Sequence, residues 1–345
     1  MKKYFNKKCI FCGKTEAEFD KHNCWTEEHI IPKALGNETL RIFNVCKKCN
    51  SGLGTYVDNY FVNNMFIKII RQSLGLKGQS GEIPNAFKEG EDKNGHRIRV
   101  DSNYHPTRVP YIEQNDNKLR IVASSKDEAR NILRKKLSRM KKTEEEIQTA
   151  INKLEKSESH FSKPEIQYNI EIDFNRFYME ILKIGFEYAI YKLGDDYLND
   201  IRAKEIQNYL KEAINGKMKT KCKEFTGISS LYEDMQKLLR QVKLNCHMLM
   251  IHPDMNNNLI AEVILFMNPM LSFSIFLSDD ATKFKNMDRN LMDVIQIKTD
   301  DRSDMDVKFE AVALSSTDEV LYRLDYEING NIVEMGKYGW IPERG

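Results

Sequence analysis

Residues 9–50 decide how the N-terminus folds, and they read CIFCGKTEAEFDKHNCWTEEHIIPKALGNETLRIFNVCKKCN. Two C-x-x-C pairs bracket this stretch, Cys9 with Cys12 and Cys46 with Cys49, and 33 residues separate the pairs. Two residues between two thiolates let one turn direct both sulfurs at a single cation, so the two pairs predict a closed tetrahedral zinc site. Such a site has no coordination position for a reacting water, so we expect the zinc to be structural. The alternative is four ordinary reduced thiols.

The composition limits the class of protein that surrounds this site. The chain has 345 residues, 53 Lys+Arg against 51 Asp+Glu, and is 41% hydrophobic and 30% charged, which excludes a disordered polar chain and a membrane protein. No apolar run reaches the roughly 20 residues that span a bilayer, and the N-terminus lacks the apolar core of a signal peptide. We therefore expect a cytoplasmic protein, where reducing conditions favour metal ligation by clustered cysteines over disulfides.

Length and pattern predict three parts. Residues 1–75 form a small cysteine-rich module, residues 76–165 a connector with a β-hairpin and two helices, and residues 166–345 a larger α+β domain. Within the connector, residues 126–142 hold eight basic and two acidic side chains. This basic helix could follow a phosphate backbone, or it could be an ordinary solvated helix face.

The elements of each part follow from apolar periodicity. A helix is predicted over 53–74, with apolar residues every four positions from Val57 to Ile69. The most apolar helix begins at Phe174 and is expected to be a core helix. Strands are predicted at 244–251, 258–267 and 271–277, and near 307–313 and 319–327. The predicted fold class is α+β, with an antiparallel sheet in the larger domain.

A second motif lies between the cysteine pairs. Residues 26–36 read TEEHIIPKALG, and Asn50 follows the last cysteine directly. Over about the first 60 residues the chain resembles the HNH endonuclease family, in particular its zinc-stapled members with a pattern like C-x-x-C, E-H-I-I-P-K-A-L-G and C-x-x-C-N. The resemblance implies a ββα-metal module, in which two strands and a helix hold one divalent cation.

The resemblance also implies a role for individual residues. His29 matches the general base, Glu28 the acidic metal ligand before it, and Asn50 the final ligand of the same metal. The middle Asn of the family is best matched by Asn44, which would orient the loop that positions His29. Asn44 departs from the commoner spacing, which places this residue where the chain has Arg41.

The chemistry of these residue types suits phosphodiester hydrolysis. The pKa of histidine, about 6.5 in a free side chain, lets His29 take a proton from water at neutral pH. The oxygens of Glu28 and Asn50 suit a hard cation such as Mg²⁺ or Mn²⁺, which can bind the scissile phosphate and the leaving oxygen. Adjacent strand residues point to opposite sides unless a bend redirects one of them. Asp58, two helical turns beyond Asn50, is either a support for this metal or a capping or surface residue.

Two functions of different class follow. The first is a metal-dependent endonuclease that hydrolyses DNA, with DNA favoured over RNA by the resemblance alone. The second is a zinc-stapled module that binds nucleic acid or protein without catalysis. Chains that join such a nuclease to a larger domain also resemble restriction enzymes and anti-phage effectors. In these, the added domain responds to modified DNA, a nucleotide signal or a protein partner.

Overall fold

The chain forms two compact units in the computed structural model, Met1–Pro84 with Ile172–Gly345, and Asn85–Glu171. The N-terminal and C-terminal parts of the sequence thus share one unit, and most of the predicted connector forms the other. The division of the sequence into three parts stays a prediction. The structure describes residues 8–115, 118–158, 165–168, 172–217, 224–229, 245–284, 292–297, 307–316, 319–328 and 331–340.

The first unit begins with a ββα module. Strand β1, Trp25–His29, pairs antiparallel with β2, Arg41–Cys46, and helix α1, Lys47–Leu53, follows β2 at once. The pairing register shifts between Thr26 and Glu28, as at a β-bulge. Two strands followed directly by a helix are the arrangement that the resemblance implies, and the α+β fold class is confirmed.

The helical stretch after β2 is interrupted twice. It runs through α1, a π-helical turn Gly54–Asp58, α2 Asn59–Asn63 and α3 Met65–Ser73. At Asn64 the backbone leaves the helical conformation (φ −55°, ψ 140°), and its side chain accepts a hydrogen bond from the amide of Phe66, which caps α3. The break shifts the helical phase, so Ile67 is fully buried and the predicted positions Met65 and Ile69 are only half-buried.

The second unit combines a small sheet with two helices. Its elements are β3 Glu89–Glu91, β4 Arg97–Val100, β5 Pro106–Arg108, β6 Tyr111–Asn115, β7 Lys118–Val122, α4 Lys126–Arg139 and α5 Glu144–Glu155. The predicted hairpin (β6 and β7) and both predicted helices are confirmed. Apolar side chains bury the contact between α4 and α5, chiefly Leu133, Leu137, Ile147 and Ile151. Strands β3 and β5 have three residues each, too short for an alternating pattern.

An antiparallel sheet dominates the rest of the first unit. Its elements are helices α6 Phe174–Leu193 and α7 Ile201–Ile214, then β8 Thr226–Ile228, β9 Cys246–Pro253, β10 Leu259–Ile264, β11 Ser272–Ser278 and β12 Met292–Gln296. The five strands lie in the order β12, β9, β10, β11, β8. A separate three-stranded sheet comprises β13 Val307–Ser316, β14 Glu319–Ile328 and β15 Asn331–Trp340. In the described ranges, every helix is too short or too polar to cross a membrane.

Helix α6 lies between the ββα module and the sheet. The rings of Phe61 and Phe177 are 4.6 Å apart, and those of Phe11 and Phe186 are 5.9 Å apart. On its other side α6 packs on β10 and β11. Because the module and the sheet bury apolar side chains in one shared core, the module does not depend on its own few apolar residues.

A buried histidine joins the sheet to the loop after β1. The Nε2 of His247 lies 2.9 Å from the carbonyl oxygen of Leu35, and its Nδ1 accepts a hydrogen bond from the amide of Phe266 at 3.1 Å. These partners fix the neutral tautomer with its proton on Nε2. Burial lowers the pKa of His247 to about 4, so it is neutral near pH 7.

Gly52 permits a close approach between α1 and α7. A Cβ at this position would lie 2.6 Å from the backbone oxygen of Ile214. We expect Gly52→Ala to lower the free energy of unfolding by about 1–3 kcal/mol, because the backbone of α7 must move. Gly54→Ala is the matched control, since Gly54 has helical backbone angles and no described atom lies within 4 Å of its added Cβ. Denaturant unfolding measures the free energy of unfolding of both variants. An equal decrease in the two would contradict a clash at Gly52.

Candidate active site

Four cysteines converge at one end of the ββα module. The Sγ atoms of Cys9, Cys12, Cys46 and Cys49 all lie within 4.8 Å of one another, and three of the four residues are buried. The sulfurs of Cys12 and Cys46 are 3.9 Å apart. This distance is close to the roughly 3.8 Å expected between two sulfurs about 2.3 Å from a tetrahedral zinc. The donor set, the spacing and the burial therefore fit a structural zinc.

Backbone hydrogen bonds hold the cysteines in place. The amide of Gly13, whose φ is +72°, donates to the carbonyl oxygen of Cys9 and closes the first turn. The amide of Cys46 points at the Sγ of Cys9 at 3.4 Å, which joins the two turns. Cys49 lies in the first turn of α1. A cation on these four sulfurs would thus tie the first loop to the start of α1.

His29 lies at the end of β1 on the outer face of the module. Glu27 and His29 are at least partly exposed and alternate with buried Glu28, as expected along a strand. The Nε2 of His29 is 3.8 Å from Oε1 of Glu27, and the same oxygen accepts a hydrogen bond from Arg41 at 2.7 Å. The His29 side chain retains 22% of its exposure, so a water molecule or a substrate can reach it.

The protonation state of His29 suits a proton acceptor. Its partial burial lowers its pKa, because burial disfavours the charged imidazolium, and the nearby carboxylate of Glu27 only partly opposes this effect. His29 is therefore mainly neutral near pH 7. A neutral imidazole can accept a proton from water.

Asn37 fixes the loop that follows His29. Its amide nitrogen donates to the carbonyl oxygens of Ile31 at 2.7 Å and Leu40 at 2.9 Å, and its Oδ1 accepts from the amide of Leu40 at 2.9 Å. The side chain is fully buried. Asn37 carries no predicted role, although an asparagine directly after the glycine of a short turn is a signal for such a role.

The structure places Asn44 and Asn50 in different surroundings. The Nδ2 of Asn50 donates to the carbonyl oxygen of Glu27 at 2.8 Å and to Oγ1 of Thr26 at 3.2 Å, so α1 is tied to the bulge of β1. Asn44 is buried, and its side-chain amide makes no hydrogen bond with any described residue. Its backbone oxygen accepts from the amide of Ile10 at 3.0 Å. Loop orientation by the Asn44 side chain stays a prediction, and Asn37 makes the bonds that this role requires.

The Glu28 side chain is buried in the protein. Its Oε1 lies 2.8 Å from the Nζ of Lys183, a fully buried residue of α6. Burial raises the pKa of Glu28 to about 7, although the Lys183 ammonium opposes this shift. Burial alone would lower the pKa of Lys183, but Asp58 and the other nearby carboxylates hold it well above its ordinary value. Lys183 carries no predicted role.

Comparison with known proteins identifies the module. Residues 9–66 match a family model described as HNH endonuclease. The chain carries an HNH endonuclease module. Neither the curated proteins nor the solved structures contain a match to the chain. The matched segment contains the cysteine cluster, His29 and Asn50, so the predicted resemblance is confirmed for this part of the chain. The match over this segment indicates a nuclease that acts on nucleic acid.

The chemistry of the HNH module's donor groups also suits a divalent cation. A carboxylate oxygen from Glu28 and an amide oxygen from Asn50 are ligands that Mg²⁺ and Mn²⁺ prefer. The carboxylate of Glu28 lies against Lys183, so the ammonium is close to the position that a cation on this ligand would take. The donor types thus fit the divalent cation that the family generally uses. The Lys183 ammonium lies beside one of these donors, the Glu28 carboxylate.

Proposed function

We propose that the chain is a metal-dependent endonuclease that hydrolyses phosphodiester bonds in DNA, with His29 as the general base. One observation supports the proposal most strongly. A neutral, accessible histidine lies beside Glu27 and Arg41 at the end of β1, inside the segment that matches the HNH endonuclease family.

His29 would take the proton of the attacking water. The carboxylate of Glu27 stabilises the imidazolium that forms, since it lies 3.8 Å from Nε2. Arg41 keeps Glu27 in this position through their hydrogen bond, and its guanidinium adds positive charge where a phosphate would bind. Asn37 keeps the loop after His29 rigid, so the imidazole stays in place during proton transfer.

Glu28 and Asn50 would hold the catalytic cation, Mg²⁺ or Mn²⁺. When bound, such a cation stabilises negative charge on the phosphate and on the leaving oxygen. Asn50 is already fixed by its bonds to β1, whereas Glu28 would have to exchange its contact with Lys183. The cysteine cluster would hold zinc and take no part in the reaction.

A plasmid assay tests the nuclease directly. The zinc-loaded full chain is incubated with supercoiled DNA, with no added divalent cation, with Mg²⁺ and with Mn²⁺. We expect nicked or linear DNA only in the samples with added cation. The two proposed ligands are oxygen donors, which bind Mg²⁺ or Mn²⁺, and the cleavage is proposed to require that cation. Parallel single-stranded DNA and RNA substrates test the preference for DNA. The absence of cleavage with either cation would favour the alternative, a zinc-stapled binding module without catalysis.

The remainder of the first unit and the second unit would select the substrate or restrain the nuclease, as in a restriction or anti-phage effector. A protein partner or a nucleotide signal would then release the activity. The same plasmid assay addresses this point. Full-rate cleavage by the purified chain without any partner or nucleotide would remove the basis for a gated effector.

A further inference from the structure

The most unusual polar group of the described chain is the ammonium of Lys183. Lysine is almost never fully buried unless it is paired, and Lys183 is fully buried in the middle of α6. Its Nζ lies 2.8 Å from Oε1 of Glu28 and 2.9 Å from Oδ1 of Asp58. Both carboxylates belong to the HNH module, and the lysine belongs to a helix that the family match does not include.

Carboxyl groups outnumber this lysine. Glu180 and Glu187 lie on the same face of α6, three residues before and four residues after Lys183. Both are fully buried, and their carboxylate oxygens make no hydrogen bond with the described residues. Oε1 of Glu180 is 3.7 Å from the Lys183 ammonium. One ammonium thus faces three carboxyl groups within 4 Å, and a divalent cation would stabilise their ionised forms more strongly than the single ammonium does.

The backbone of the module adds an independent observation. Asp58 is the last residue of the π-helical turn Gly54–Asp58. A π-helical turn inserts one residue into a helix, so it rotates the following side chains relative to the preceding turns. In this helix the Asp58 carboxylate contacts the Lys183 ammonium, and the side chain keeps 22% of its exposure. Such turns are frequent at functional sites.

We propose that Glu28, Asp58 and Glu180 form a binding site for a divalent cation, and that the Lys183 ammonium occupies this site when the cation is absent. The three carboxylates are those within 4 Å of the ammonium, and all their donor atoms are oxygens, which suits Mg²⁺ or Mn²⁺. Two positive groups cannot share the site, so binding of the cation requires Lys183 to move out. This inference rests on the proposed function for the assignment of Glu28. It adds two ligands, Asp58 from the π-helical turn before α2 and Glu180 from α6.

Binding of Mn²⁺ to the zinc-loaded full chain, measured by electron paramagnetic resonance without DNA, tests the competition. We expect Lys183→Met to lower the Kd for Mn²⁺ by at least about tenfold, because the variant removes a positive charge from the site. Lys192→Met is the matched control on the same helix, since Lys192 pairs with Asp293 at 2.5 Å. It should leave the Kd unchanged. An unchanged Kd in a folded Lys183→Met protein, or equal effects in both variants, would overturn the proposal.

A second variant keeps the test decisive if Lys183→Met does not fold. Glu180→Gln removes one proposed ligand, retains Lys183 and conserves the shape of the side chain. We expect it to raise the Kd for Mn²⁺ by about 10–100-fold. Glu187→Gln is the control, because this buried carboxylate lies on the same face of α6 but beyond ion-pair distance of Lys183. Its effect on the Kd for Mn²⁺ should be much smaller. Equal effects of Glu180→Gln and Glu187→Gln would refute ligation by Glu180.

The two proposals fail in different ways. Mn²⁺ binding is measured without a substrate, so it does not depend on cleavage. A protein that cleaves DNA with Mg²⁺ but binds Mn²⁺ equally well with and without Lys183 would retain the nuclease and lose this site. A protein that binds Mn²⁺ as expected and cleaves nothing would retain the site and lose the nuclease.

Discussion

Replacement of Cys49 by serine is expected to unfold the N-terminal half of the HNH module. The four sulfurs lie within 4.8 Å of one another, and Cys49 is in the first turn of α1, so its loss detaches the helix from the first cysteine loop. A structural zinc contributes about 10–16 kcal/mol of apparent folding free energy in small modules. The total stability of a domain is only about 5–15 kcal/mol. The loss of one ligand should therefore loosen residues 9–46, while α6 and the sheet keep the part of the shared core that they form themselves.

Limited proteolysis and the zinc content of the purified protein measure this effect. We expect about one zinc per wild-type chain and new cleavage sites before α1 in Cys49→Ser. Cys24→Ser is the matched control, since Cys24 is an exposed free cysteine of the same module outside the cluster. It should retain zinc and resist protease like the wild-type chain. A Cys49→Ser protein with full zinc content and unchanged proteolysis would contradict a four-cysteine site.

Local sequence signals were sufficient for the HNH module and for most secondary structure. The first C-x-x-C pair lies on a turn that a short-range hydrogen bond closes, and the second pair lies where β2 ends and α1 begins. The order of two strands and a helix follows directly from the residues between the pairs. The apolar period of α6 was equally clear, and the predicted core helix is confirmed by its buried apolar side chains. These features depend on neighbours within a few residues, which a sequence displays directly.

Contacts between distant segments could not be read from the sequence. Lys183 and Asp58 are 125 residues apart, and only the packing of α6 on the module brings them together. Glu180, Lys183 and Glu187 share one face of α6, and the partner of that face depends on the tertiary fold. The break at Asn64 was missed for a related reason. Asparagine is tolerated within a helix, and only the cap on Phe66 reveals a new start.

Replacement of His29 by alanine is expected to lower the rate of DNA cleavage by about 10²–10⁴-fold, the usual contribution of a general base. The variant removes the neutral imidazole beside Glu27 and leaves the zinc ligands and the core untouched. Zinc content, the unfolding temperature and DNA affinity should therefore match those of the wild-type chain. Single-turnover cleavage with saturating Mg²⁺ or Mn²⁺ measures the chemical step.

His22→Ala is the control for the loss of any histidine from the module, because His22 is exposed and should not affect the rate. Added imidazole provides a second readout. It can diffuse into the cavity of His29→Ala and accept the proton in place of the missing side chain, so cleavage should recover in part and rise with imidazole concentration. A side chain that merely supports the loop would show no such rescue, since Asn37 already fixes that loop. A folded, zinc-loaded His29→Ala protein that cleaves DNA at the wild-type rate would exclude His29 as the general base.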